Sequence, residues 1–214
     1  MKRLSVTLLL VLLLPLPAAA TDTAAELFAA GRALIDDNCS ECYQATRHGL
    51  EAGVDAVKQA LDAGLTDRVA AYKALARAYN TLAVVHALPD SDEQKLLARQ
   101  QQAVYEQLVE AAPNDAEVRI NYAQFLREPA AKVEHLEVAV KAAPDSADAR
   151  YLLALALFDA GRNDDALPQA RRAVALARRS AVGNYLEHLE ERLQHAGLAA
   201  EAEQLRSEAR SKTK

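Results

Sequence analysis

The chain has 214 residues, 51% of them hydrophobic, a formal net charge of −5, seven prolines, no tryptophan and two cysteines. That length admits one domain with a core of its own, or an extended repeat array. The modestly acidic balance argues against nucleic-acid binding, which rests on clustered Lys and Arg against phosphates.

The first predicted element is a leader. MKRLSVTLLLVLLLPLPAAA has Lys2 and Arg3, an apolar run from Leu8 to Leu14, then Pro15, Pro17 and a small-residue end at Ala18-Ala19-Ala20. This is the three-part layout of a secretory signal peptide, with cleavage expected after Ala20. The apolar run falls short of the roughly 20 residues a helix needs to span a bilayer. No later segment is apolar enough to do so, and no cysteine ends the run to carry a lipid. Removing the leader takes the formal charge from −5 to −7. The expected product is periplasmic or secreted, with no membrane span after leader removal.

The rest reads as all helix. Ala, Leu, Glu, Arg and Gln dominate, and no stretch alternates apolar and polar as a half-buried strand would. Residues 21–65 form an expected helical capping hairpin. Thr23-Ala24-Ala25-Glu26 suits a capping box, and an apolar helix follows through Leu27, Phe28, Leu34 and Ile35. A second helix is expected from about Thr46 to Leu61, ending near Gly64, with Cys39 and Cys42 near the bend or in the first helix.

Residues 66–214 carry regular punctuation. Pro89-Asp90-Ser91, Pro113-Asn114-Asp115 and Pro144-Asp145-Ser146 each join a helix-stopping proline to capping residues. Gly161 and Gly197 mark turns inside hairpins. Tyr72-x-x-Leu75-Ala76, Arg119-x-x-Tyr122-Ala123 and Arg150-x-x-Leu153-Ala154 repeat a large residue followed by a small one. Small residues let paired helices approach, and stacked pairs bury jointly what one pair cannot. The expected units are 69–115, 116–146, 147–180 and 183–212.

This pattern resembles the tetratricopeptide repeat. The best unit is ADARYLLALALFDAGRNDDALPQARRAVALA, with Leu153-Ala154, Gly161, Ala166 and Ala173 at the family's positions. The resemblance implies a right-handed superhelical solenoid of antiparallel helix pairs. It also implies a concave groove, lined by the first helix of each pair, that holds an extended or helical peptide. Carried onto this sequence, the groove positions are Lys73, Arg77 and Asn80, then Ile120 and Gln124, then Tyr151, Leu155 and Phe158. Such a groove would run from basic to apolar and aromatic, suiting a peptide with an acidic end and an apolar anchor.

The cysteine pair raises four readings. AAGRALIDDNCSECY resembles the opening of a c-type cytochrome, but Tyr43 stands where the axial histidine belongs, and the only methionine is Met1. Asp36, Asp37 and Glu41 disfavour the thiolate a redox pair needs. Structural zinc takes four protein ligands, and only His48 and a carboxylate lie near. A local disulfide suits an exported chain with an even cysteine count. The expectation is therefore a Cys39–Cys42 disulfide, with no cofactor and no metal. A redox- or metal-linked accessory role, for instance in cytochrome c maturation, is the alternative.

His188, Glu191 and His195 share a helix face, but the histidines lie seven apart, about 10 Å along the axis, too far for one ion. Arg171, Arg172, Arg178 and Arg179 end a helix that begins Asn163-Asp164-Asp165, an arrangement that complements the helix dipole. The sequence holds no G-x-S-x-G, H-E-x-x-H, phosphate loop or dinucleotide glycine pattern. The expected function is a non-catalytic scaffold for a protein or peptide partner.

Overall fold

The computed structural model describes residues 18–39 and 46–213, which form ten α-helices and no strand. In chain order these are α1 (Ala18–Cys39), α2 (Arg47–Asp62), α3 (Arg68–Thr81), α4 (Asp92–Ala111) and α5 (Ala116–Ala123). Then come α6 (Pro129–Ala142), α7 (Ala147–Asp159), α8 (Asn163–Leu176), α9 (Arg179–His195) and α10 (Ala199–Thr213). A π-helical turn, Leu82–His86, follows α3. The leader up to residue 17 lies outside the described residues. So do Cys42 and the side chain of Cys39, and with them the expected disulfide.

Helix ends follow their local chemistry. Ser91 Oγ accepts from the Gln94 amide at 3.1 Å, and Ser146 Oγ from the Ala149 amide at 3.2 Å. Asp115 Oδ1 accepts from the Glu117 and Val118 amides at 3.0 and 3.2 Å. All three proline-led turns therefore satisfy the first amides of the helix they open. Gly161 and Gly197 close α7 and α9 at φ of +72° and +75°, a conformation that costs glycine little. Thr23 departs from expectation. It lies inside α1 rather than capping it, because Ala18-Ala19-Ala20 are strong helix formers and start the helix earlier.

The chain divides into two compact units between His86 and Ala87, at the end of the π-helical turn. Helices α3 and α4, read together from sequence as the unit 69–115, thus fall in different compact units.

In the first unit α1 and α2 form a hairpin with its backbones in close approach. A Cβ added at Gly53 would meet Ile35 at 2.7 Å and the Gly31 carbonyl at 2.9 Å. The buried residues of α2, Leu50, Gly53, Val54, Val57 and Ala60, recur at helical spacing on one face. Asn38 ties the two helices at the bend. Its Oδ1 accepts from the Thr46 amide at 2.9 Å and the Thr46 hydroxyl at 2.8 Å, while its Nδ2 donates to the Leu34 carbonyl at 2.7 Å. Thr46 Oγ1 in turn caps α2 by accepting from the Gly49 amide. Helix α3 covers the hairpin, with Ala71, Tyr72, Leu75 and Tyr79 buried.

In the second unit helices pair in sequence, α5 with α6, α7 with α8 and α9 with α10. The first helices α5, α7 and α9 also touch one another in a row, and α8 touches α10. Leu153, Leu157, Leu189, Leu193 and Leu205 fill the core between them, spaced by Ala154, Ala166, Ala170 and Ala173. Two arginines one repeat apart do the same structural task. Arg119 Nε donates to the Pro113 carbonyl and Arg150 Nε to the Pro144 carbonyl, both at 2.8 Å. Each then reaches the second helix of its own pair, Arg119 to His135 at 2.9 Å and Arg150 to Gln169 at 2.7 Å.

Candidate functional site

Helix α5 spans eight residues and α7 thirteen. Pro129 starts the next helix soon after α5, so the chain turns through Gln124, Phe125 and Leu126 rather than extending the first helix. A depression of about 220 Å³ lies where α5 stops. Ile120, Ala123 and Gln124 line it from the end of α5, Lys132 and Leu136 from α6. Leu152, Leu155, Ala156 and Asp159 line it from α7, and Arg192 from α9. Its apolar part is Ile120, Leu136, Leu152 and Leu155; its charged members are Lys132, Asp159 and Arg192.

Arg192 and Asp159 are paired at 2.7 Å, and Arg192 also meets Glu191 at 3.2 Å. The Asp159 hydrogen bond, opposed by partial burial, raises the Arg192 pKa, so the guanidinium stays charged. The same pair borders a neighbouring depression lined by Phe158, Asn163 and His195. An ion pair between α7 and α9 therefore stands as the wall between two hollows.

Aromatic residues cross the same two helices. The Tyr151 and Tyr185 rings stack at 4.2 Å with 1° between planes. Tyr151 and His188 Nδ1 share a hydrogen bond at 2.8 Å, and the Tyr185 hydroxyl donates to Asp148. Burial first, then the Asp148 carboxylate, raises the Tyr185 pKa well above the ordinary phenol range. Both rings stay neutral and act as packing.

The structure places the predicted groove residues in several settings. Ile120, Gln124 and Leu155 come together in one depression. Phe158 is buried, 8% exposed, and faces the neighbouring hollow. Tyr151 is half-buried under its stack. Lys73, Arg77 and Asn80 belong to the first unit. There Arg77 pairs with Asp36 of α1, Lys73 is half-buried, and Asn80 is exposed. Sequence reading missed Lys132, Leu136, Leu152, Asp159 and Arg192. Asp159 and Arg192 carried a readable signal, opposite charges about one repeat apart on successive first helices. Lys132 carried none, since it sits on a second helix. Among the described residues no group of three or more His, Cys, Asp or Glu could hold a metal ion.

No family model matches the sequence, and no curated protein matches it. Solved structures do match. MamA AMB-1 aligns over 88% of this chain and 90% of its own, at 19% identity and a TM-score of 0.60. YrrB, described as a TPR protein with an unusual peptide-binding site, aligns over 90% of this chain and 84% of its own, at 16% identity and a TM-score of 0.57. This is the tetratricopeptide repeat fold. Within the tetratricopeptide fold, α5, α7 and α9 are the first helices of their pairs, and the depression opens on their row.

Proposed function

We propose that the protein is a non-catalytic interaction scaffold, exported from the cytoplasm, that holds a protein or peptide partner against the depression in its second unit. The observation that carries this reading is the apolar hollow at the truncated end of α5, with Ile120, Leu136 and Leu155 around it. At about 220 Å³ it is below the about 300–1,000 Å³ usual for small-molecule sites, and it suits a side chain better. The peptide-binding description of YrrB, a protein of the same fold, supports the same class of partner.

The leader supports export to the periplasm or beyond, with the mature chain starting at Thr21. In that setting the two cysteines of the sequence, Cys39 and Cys42, are proposed to be joined as a local disulfide. N-terminal sequencing and an intact mass of the exported protein, with and without reductant, test both points. A free thiol pair in the exported protein, or a retained leader, contradicts them.

The scaffold reading is tested by affinity capture from an envelope extract. Wild type is compared with Leu155→Lys and Gln124→Arg, each first shown folded by circular dichroism. The expected result is a partner retained by wild type and lost by both variants. Equal recovery by all three removes the depression from the account.

A further inference from the structure

A second hollow, of about 360 Å³, lies where α7 and α9 end and α8 begins. The Asp159–Arg192 pair separates it from the depression beside α5. Phe158, Gly161 and Ala196 make the apolar part of its lining, and Asp159, Arg192, Asn163 and His195 the polar part. The polar part keeps donors and acceptors in reserve. Arg206 holds Glu190 through two bonds, Nε to Oε1 and Nη2 to Oε2. Arg192 holds Asp159 through Nε and Oδ1 alone, and its Nη1 meets Glu191. Among the described residues this leaves Arg192 Nη2 as an unused donor and Asp159 Oδ2 as an unused acceptor. The half-buried Asn163 amide and the exposed His195 ring also have no hydrogen-bond partner among the described residues. An amide carries both a donor and an acceptor, and so does a neutral imidazole in either tautomer.

From this lining we infer that the second hollow binds a neutral ring bearing several hydroxyls, of the class of a hexose sugar, whatever the depression beside α5 holds. Three features select that class. A hydroxyl donates and accepts at once, so neighbouring hydroxyls meet a wall that offers both donors and acceptors. The two charged residues of the lining are each other's partners, so a charge on the ligand finds no unmatched opposite and loses its hydration. The apolar part of the lining suits the C–H face of a sugar ring. The volume falls within the about 300–1,000 Å³ usual for small-molecule sites, as that of the depression beside α5 does not. A purely apolar ring would cover the unused donors and acceptors without bonding them, at the cost of their hydration.

The test is an amide-resolved NMR titration of the full mature chain with glucose, cyclohexanol, glucosamine and glucuronate. These are rings of similar size that differ in their hydroxyls or their charge. Asn163→Ala and His195→Ala are titrated in parallel, and amide dispersion shows that each is folded. Neither side chain bonds the rest of the described protein, so weaker binding by a folded variant reports a lost ligand contact. Glucose should give saturable shifts at Gly161, Asn163, His195 and Ala196, and should bind more tightly than the other three. Each variant should bind glucose about two- to tenfold more weakly, the loss of one hydrogen bond. No saturable shift at these amides with glucose, cyclohexanol binding as tightly as glucose, or wild-type affinity in either variant overturns the inference. Tighter binding of glucosamine or glucuronate also overturns it, because charge would then select the ligand. All of these outcomes leave the scaffold reading standing.

Discussion

Single residues in this protein carry more than their sequence positions announce. Arg119 and Arg150 stand at the same place in the first helices of successive pairs, and the structure shows what they do there. Arg119 and Arg150 each reach back to the carbonyl of a turn proline and across to the second helix. A planar guanidinium can do both at once, whereas a lysine ammonium cannot span the two directions. Arg150→Lys should therefore lower stability by about 1 kcal/mol, close to Arg150→Ala. Urea denaturation of the three proteins checks this; a lysine variant as stable as wild type would show the second bond to be dispensable. His135 makes a related prediction about pH. Burial first, then the Arg119 charge, lowers its pKa below the ordinary 6.5, outweighing Glu134. The unfolded chain then takes up its proton near pH 6.5 while the folded chain resists it. This contribution is neutral above that pH and destabilises as pH falls below it, until the folded pKa is passed. His135→Gln should lose stability less steeply than wild type between pH 7.5 and 5, read from urea midpoints, and parallel curves would contradict the assignment.

Helices here are set by spacing and by what lies opposite. Two glycines inside helices make the point with opposite signs. Gly53 in α2 faces Ile35 and the Gly31 carbonyl at under 3 Å from an added Cβ, so alanine there must push two backbones apart. Gly183 in α9 has nothing within 4 Å of that position. Gly53→Ala should destabilise by about 1–3 kcal/mol despite its better helix propensity, because overpacking outweighs it. Gly183→Ala should stabilise by about 0.5–1 kcal/mol, the propensity gain alone. Thermal melts of the two variants give both signs, and a stable Gly53→Ala would mean that the hairpin can spread. The helix boundaries were largely legible. Each proline-led turn named its capping residue, and the glycine turns fell where φ is positive. The early start of α1 was hidden because its alanines read equally well as the end of a leader. The π-helical turn was also hidden, since Leu82–His86 continues the periodicity of α3 and only the backbone shows the widened turn.

For the whole molecule, the repeat spacing was readable because each helix pair must place small residues where backbones meet. The candidate site was readable in part. Ile120, Gln124 and Leu155, named from their places on first helices, line one depression because α5, α7 and α9 form a row. Those places could not include Lys132 and Leu136, which enter from α6 only because α5 stops early and uncovers that helix. The cue was present at Arg127-Glu128-Pro129, the shortened turn, but its consequence depends on three-dimensional packing. Nor could sequence divide 69–115, whose two helices each read as half of one pair yet fall in different compact units. The central claim is that the hollow beside the end of α5 is where this scaffold meets its partner. Photo-crosslinking tests it most directly, with a benzophenone side chain placed at Gln124 on the rim or at Glu203, exposed on α10. The account predicts a partner adduct from position 124 that disappears in Leu155→Lys, and none from position 203. Equal adducts from both positions, or none from 124, would contradict it.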